Sequence, residues 1–293
     1  MPELPEVETI RLQLDQRLKG LKITEVEVLN KKSFIGPPSH KASEGEEVIG
    51  KKVIGVKRRA KIALIELEGG LYLAIHLKLT GQLIYSSHGG GIKGCAEKEE
   101  SPFKVCELPN KFTRVIISFD NGGRLFFNDL RIFGWVKVIR DLGEVGGGKL
   151  GPEANDEKAF TFEYFQSILS KTKKPVKLVI LDQEKLAGVG NIYVNEALFK
   201  AGIMPTRPAN SLGDKDIKLL RDSIIWVLTE AIKRKGTSDR DEAYRQISGE
   251  KGDYQNHLQV YGKTGKPCPK CDGKVERVNL GGRGTFFCRK CQT

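Results

Sequence analysis

Apolar residues recur at Val7, Ile10, Leu14 and Leu18, a spacing that places them on one face of a helix, and Gly20 follows as a stop. The stripe predicts an amphipathic helix packed on a sheet. From Lys22 to Arg140 the period shortens to two. Leu71, Leu73, Ile75 and Leu77 alternate with Tyr72, Ala74 and His76, Val115 to Phe119 is rich in β-formers, and Gly69-Gly70 and Asn121-Gly122 supply hairpin turns. This texture predicts a β-sandwich-like first domain. Residues 86–109, with Gly89-Gly90-Gly91, Pro102 and mixed charges, read as a long mobile loop. The run from Asp141 to Pro152 holds Gly143, Gly146, Gly147, Gly148 and Gly151 and marks the clearest domain boundary, a hinge between two walls of a cleft. Helical patterns follow at 158–170, 175–186, 191–200 and 214–235, with Pro175 suited to a helix start and Gly202 and Gly236 to stops. The fold class is α+β: sandwich first, mainly helical second.

At 293 residues with 39% apolar content, the chain can hold two domains with real cores. No stretch approaches the ~18 uninterrupted apolar residues of a membrane span, and the mixed, acidic start resembles neither a signal peptide nor a transit peptide. The expected location is the cytoplasm. Lys and Arg number 49 against 37 Asp and Glu, for a net charge of +12, which favours a polyanionic partner without deciding for nucleic acid.

Cysteine changes the picture at the C-terminus. Cys268-x-x-Cys271 and Cys288-x-x-Cys291 are separated by 16 residues, a spacing that in a cytosolic protein presents four thiolates to one tetrahedral zinc. With no open coordination position, such a zinc folds its module and does no chemistry. Cys95 and Cys106 have no ligand spacing and read as incidental thiols.

The first six residues, Met1-Pro2-Glu3-Leu4-Pro5-Glu6, admit two readings. In one, the prolines stiffen a chain start and Glu6 favours the N-terminus of the next helix. In the other, removal of Met1 leaves a secondary amine on Pro2 beside the Glu3 carboxylate. An α-amino group titrates near pH ~7.7–8, so a neutral fraction is available to attack an aldehyde-like carbon and form an iminium.

Pro2-Glu3-Leu4-Pro5-Glu6, Asp129-Leu130-Arg131-Ile132-Phe133-Gly134, Gly190-Asn191-Ile192-Tyr193 and the terminal zinc ribbon, in that order, resemble the formamidopyrimidine-DNA glycosylase family from residue 2 to residue 292. The resemblance implies a sandwich catalytic domain over 1–140, a hinge over 141–152, a helix–two-turn–helix DNA-binding domain over 153–262 and a β-hairpin zinc ribbon over 263–293. It implies a monomeric DNA glycosylase/AP lyase of base excision repair that bends duplex DNA, flips the damaged nucleotide out and carries one structural zinc. Pro2 would attack C1′, Glu3 would move protons, and Lys61 would hold the phosphate of the flipped nucleotide.

By the same resemblance Asn191, Tyr261 and Arg283 contact phosphates, while Leu79, Arg131 and Phe133 fill the space left by the base. Residues 236–252 correspond to the loop that closes over the extruded base, where Thr237, Ser238 and Arg240 say little about lesion choice. Read without the resemblance, Arg58-Arg59-Ala60-Lys61 is a solvated basic face before it is a site, Asn191 can be a helix cap, Phe133 a strand core residue and Leu79 packing under a turn. Leu4 stands where the related endonuclease VIII group has glycine, which favours oxidised purines over oxidised pyrimidines. Departures from the family pattern are Leu79 where methionine is common, Phe112 where histidine is frequent, Lys263 where arginine is usual, and the lengthened 86–109 loop. A non-catalytic damaged-DNA-binding protein remains the alternative from another class.

Overall fold

Glu3 and Glu6 start the first helix by capping each other. Glu3 is the N-cap, its main-chain N–H donates to Glu6 Oε2 at 2.7 Å, and the reciprocal bond completes a capping box. Pro5 fits the first turn, where its missing donor costs nothing. The helix, α1, runs Leu4–Leu18 and buries Val7, Ile10, Leu14 and Leu18, the predicted stripe. Gly20 follows at φ +90°, a conformation that favours glycine.

The computed structural model describes residues 1–36, 45–87, 107–238 and 244–293. Contacts divide the chain into two units: 1–148 with 234–255, and 149–233 with 256–293. Cys95, Cys106, Arg240 and most of the 86–109 loop lie outside the described residues.

In the first unit, β1 (Ile23–Val28), β2 (Phe34–Ile35), β3 (Val53–Arg59), β4 (Ile62–Leu67), β5 (Leu71–His76), β6 (Gly81–Ser86), β7 (Thr113–Phe119), β8 (Arg124–Asp129) and β9 (Trp135–Ile139) form two sheets. Their orders are β1-β7-β8-β6 and β2-β9-β5-β4-β3. All pairings are antiparallel except β2 with β9. Ile23, Leu83, Val115, Ile117, Leu125 and Phe127 of one sheet share a core with Val56, Ile65, Leu73, Ile75, Val136 and Val138 of the other, so the unit is a β-sandwich. Helix α1 closes one edge. Its Ile10, Leu14 and Leu18 join the core, and Asp15 Oδ1 accepts the Val56 N–H at 2.7 Å, satisfying a donor on edge strand β3. A side chain at Gly55 would crowd that carboxylate, its Cβ 3.2 Å from Oδ1.

Residues 234–255 follow a helix of the second unit in sequence yet pack with the sandwich. Tyr244 and Ile247 belong to its core, the Tyr85 N–H donates to the Ile247 carbonyl at 2.9 Å, and Gln13 Nε2 donates to Gln246 Oε1 at 2.6 Å. The described flanks of the 236–252 loop are therefore anchored.

The second unit holds α2 (Phe162–Ser170), α3 (Val176–Leu181), α4 (Asn191–Ala201) and α5 (Asp214–Lys233), then the hairpin β10 (Glu276–Leu280) and β11 (Arg283–Phe287). Thr161 caps α2 by accepting the Tyr164 N–H at 3.1 Å. Gly202 ends α4 at φ +71°. The pattern at 175–186 overreaches: after Pro175 the helix stops at Leu181, where the chain turns into Asp182-Gln183-Glu184-Lys185. No helix among the described residues is long and apolar enough to cross a membrane.

Candidate functional site

Three sequence-predicted residues sit on elements that the sandwich braces together. Pro2 and Glu3 stand at the start of α1, both buried, with Glu3 only 2% exposed. Glu6 does two jobs there, since its Oε2 accepts the Glu3 N–H and its Oε1 accepts the Thr237 N–H at 2.8 Å. Gly236 lets that approach happen, because a Cβ there would stand 2.8 Å from Glu6 Oε1. Lys61 lies in the two-residue turn between β3 and β4, where Ala60 takes φ +51°. Arg58 ties this turn to α1: its Nη1 donates to the Ala60 carbonyl at 2.8 Å and its Nε to Glu8 Oε2 at 2.9 Å. A solvated basic face does not describe the run, because Lys61 is 7% exposed.

His76, at the end of β5, pairs with Ile62 and packs tilted against Trp135 at 5.7 Å between ring centres. Burial, then the charges of Lys78 and Lys61, push its pKa down to about 3. The ring is neutral at physiological pH, with Nδ1 accepting the Lys78 N–H at 2.9 Å. The unfolded chain takes up this proton at a higher pH than the folded one, so His76 subtracts from stability as pH falls from about 6.5 towards about 3.

Leu79 occupies the turn after β5 and is half-buried, while Arg131 and Phe133 follow β8, and Phe133 is 52% exposed. Phe133 is thus no strand core residue. The Arg131 guanidinium lies over its ring at 5.1 Å.

In the second unit, one helix organises the remaining predicted residues. Asn191 is not the N-cap of α4, which is Gly190; its Nδ2 instead donates to the Gly284 carbonyl at 3.1 Å. Asn195 Oδ1 accepts the Phe286 N–H at 2.9 Å. Glu196 accepts the N–H groups of Gln259 at 2.8 Å, Val260 at 3.0 Å and Tyr261 at 2.8 Å. Burial raises the Glu196 pKa, with those three N–H bonds opposing it. From α3, fully buried Lys177 donates to the Gly284 carbonyl at 3.0 Å and Thr285 Oγ1 at 2.8 Å. The hairpin turn Gly281-Gly282, at φ +58° and +74°, then presents Arg283 to solvent. Tyr261 packs edge-on to Phe286 at 5.0 Å. Sequence reasoning missed Lys177, Asn195 and Glu196. The one available signal was a lone acid inside Asn191–Ala201, a helix otherwise apolar on nearly every side.

The Sγ atoms of Cys268, Cys271, Cys288 and Cys291 all lie within 4.8 Å of one another. The 268–291, 271–288 and 271–291 separations are 3.7, 3.6 and 3.3 Å, near the ~3.8 Å edge that tetrahedral Zn–S bonds of ~2.3 Å generate. N–H groups of Lys270 and Gly273 point at Cys268 and Cys271 Sγ at 3.4 and 3.3 Å, and a Cβ at Gly273 would press on two of the sulfurs. As thiols the four compete for protons: Cys291 is pushed up to about 12, first by its hydrogen bond with Cys271, then by burial. A dication reverses that preference, and the donor set and spacing fit one structural zinc.

Residues 1–136, 150–242 and 265–293 match three family models, described as the formamidopyrimidine-DNA glycosylase N-terminal domain, the formamidopyrimidine-DNA glycosylase H2TH domain and a zinc finger found in FPG and IleRS. The chain is 41% identical over 296 residues to a formamidopyrimidine-DNA glycosylase of Pelotomaculum thermopropionicum, covering 100% of this chain and 99% of the relative. Among solved structures it resembles the MutM (Fpg) protein of Thermus thermophilus, with TM-score 0.84, 35% identity and coverage of 99% and 98%. A Lactococcus lactis Fpg variant in complex with Fapy-dG-containing DNA gives TM-score 0.84 and 33% identity, with 100% of each chain covered.

Proposed function

The chain belongs to the formamidopyrimidine-DNA glycosylase family, whose members are base excision repair enzymes, and from that premise we propose that it excises oxidised purines from duplex DNA through Pro2. The observation that carries this reading is the buried Pro2-Glu3 start of α1, braced through Glu8 and Arg58 to the turn that holds Lys61.

With Met1 removed, the neutral Pro2 nitrogen attacks C1′ and the bond from C1′ to the base breaks, its electron pair leaving with the base, which takes up the proton that the Pro2 nitrogen sheds. Glu3 protonates O4′ as the sugar ring opens, and the Pro2 nitrogen becomes an iminium. That cation acidifies the C2′ hydrogens, so a proton passes from C2′ to the Glu3 carboxylate and the C3′–O3′ bond breaks, its electron pair leaving with the 3′ phosphate. A second elimination releases the 5′ phosphate. Lyase activity is thus a consequence of the nucleophile. The Lys61 ammonium offsets phosphate charge near the reacting sugar.

The nucleotide has to be extruded first, because C1′ of a stacked nucleotide is shielded. Leu79, Arg131 and Phe133 fill the vacated space, Arg131 reading the orphaned cytosine and Phe133 wedging beside it. Asn191, Tyr261 and Arg283 hold backbone phosphates. One chain acts as a monomer, and a cytoplasmic location goes with a duplex DNA substrate.

Borohydride trapping on a duplex with one 8-oxoguanine opposite cytosine tests the reading. The expected product is a covalent adduct mapped to Pro2. Trapping only on an oxidised pyrimidine would reassign the substrate to the endonuclease VIII type, and no adduct on either duplex with a free Pro2 amine would leave a binding protein. Separately, Arg283→Ala is expected to weaken DNA binding and flatten the slope of log K against log salt by about 0.9 for one lost phosphate contact. An unchanged slope would rule out that contact.

A further inference from the structure

One buried carboxylate joins the turn that carries Leu79 to the turn that carries Arg131 and Phe133. Asp129, the last residue of β8, is 0% exposed. Its Oδ1 accepts the Thr80 hydroxyl and, at 3.1 Å, the Arg131 N–H, while its Oδ2 accepts the Gly134 N–H at 2.7 Å. The Arg131 N–H also lies 3.1 Å from Thr80 Oγ1, and Arg114 Nε donates to the Asp129 carbonyl at 2.8 Å.

Both turns are held in conformations that their sequences do not favour. Between the two N–H groups that Asp129 grips, the chain passes through Ile132 at φ +57°, a region that a β-branched residue enters only under restraint. In the other turn Lys78 takes φ +51°, and the Gly81 N–H closes back onto the Leu77 carbonyl at 2.8 Å. The end of the turn that carries Arg131 also packs tightly against the end of β5. A Cβ on Gly134 would stand 3.0 Å from the His76 carbonyl oxygen and 3.1 Å from Asp129 Oδ2.

We propose that Asp129 is a positioning residue that makes the two turns one rigid body, so that Leu79, Arg131 and Phe133 enter the DNA helix together. The proposal rests on the reading that these three side chains fill the space of the extruded base. A loop that must order itself at each damaged site loses binding energy to that ordering, and pre-set turns avoid the loss. The carboxylate sits at the junction of both turns, and its partners are a hydroxyl of one and two N–H groups of the other.

The test combines single-turnover excision of 8-oxoguanine with the fluorescence of a 2-aminopurine placed beside the lesion, which reports insertion. Thr80→Val keeps the side-chain shape and cuts only the link between turns; Asp129→Asn weakens the whole hub. Each is expected to slow both signals by about 10- to 100-fold, the scale of a misplacement of roughly 1 Å. Adding Leu79→Ala to Thr80→Val is expected to cost little more, because the wedge is already uncoupled. Wild-type signals from both hub variants, with Leu79→Ala and Phe133→Ala slow, would overturn the proposal and leave the void-filling reading standing. Full activity of Leu79→Ala, Arg131→Ala and Phe133→Ala would remove that reading and the proposal with it. A loss that tracks only a lower melting midpoint and adds fully to Leu79→Ala would mark Asp129 as structural, which also overturns it.

Discussion

Glu3→Gln is expected to slow base excision by about 10²- to 10⁴-fold, the range that a positioned general acid contributes, while moving the melting midpoint little. The separation follows from the two jobs of this residue. As N-cap of α1, Glu3 sits in a capping box with Glu6 and is 2% exposed, so its volume matters. Glutamine keeps that volume and an oxygen that can accept a helix N–H, so the cap loses at most about 1 kcal/mol. It has no proton to give O4′ and no carboxylate to take one back. Single-turnover excision of 8-oxoguanine, read beside a thermal melt and borohydride trapping on a preformed abasic site, separates the two jobs. The expected pattern is lost excision in a folded protein that still traps the abasic site through Pro2. Unimpaired excision would reduce Glu3 to a helix cap.

Wherever the structure follows from local pattern, the sequence reveals it. The stripe of α1 is buried as the helical period requires, and Gly69-Gly70 and Asn121-Gly122 lie between paired strands. The zinc ligands were legible for the same reason, since two Cys-x-x-Cys pairs are local by construction. The strand from Leu71 to His76 already shows the limit: Ala74, on the presumed polar face, is buried too, in a central strand where it pairs with Leu64 on one side and Lys137 on the other, and alternation cannot encode which strands flank it.

Polar groups that act across long sequence separations left little signal. Glu6 reaches 231 residues to Thr237, Glu196 reaches about 64 to the Gln259-Val260-Tyr261 backbone, and Asp129 gathers Thr80 from 49 residues away. Each is an acid whose partners are mostly main-chain N–H groups, which every residue type except proline carries. No motif records such a partner, so what these acids hold became visible only in the fold. The candidate reacting residues were legible as residue types because their chemistry is unusual, a secondary amine beside a carboxylate, whereas the groups that hold them in place are chemically ordinary.

Removing the zinc, by chelation or by Cys288→Ser, is expected to release one metal ion per chain and to lower affinity for lesion-containing duplex by about 100-fold or more. Cys268 and Cys288 share a small core with Phe199, Val260, Val275 and Phe286, in which Tyr261, Cys271 and Cys291 also pack. Six core residues are too few to hold a hairpin by burial alone, whereas a structural zinc contributes roughly 10–16 kcal/mol in zinc-finger peptides near pH 7. Without it the turn at Gly281-Gly282 loses its base, and Arg283 loses the fixed position from which it would grip phosphate. Lys177, Asn191 and Asn195 would still offer their bonds to Gly284, Thr285 and Phe286, but to a strand with no partner. The sandwich contains none of these residues, so its α1 and its Pro2-Glu3 start should keep their native protection from hydrogen exchange while amides of 265–293 lose theirs. Metal analysis, exchange and salt-dependent binding on the same sample check each step. Full DNA affinity after complete zinc loss would show that the ribbon is not the platform for Arg283.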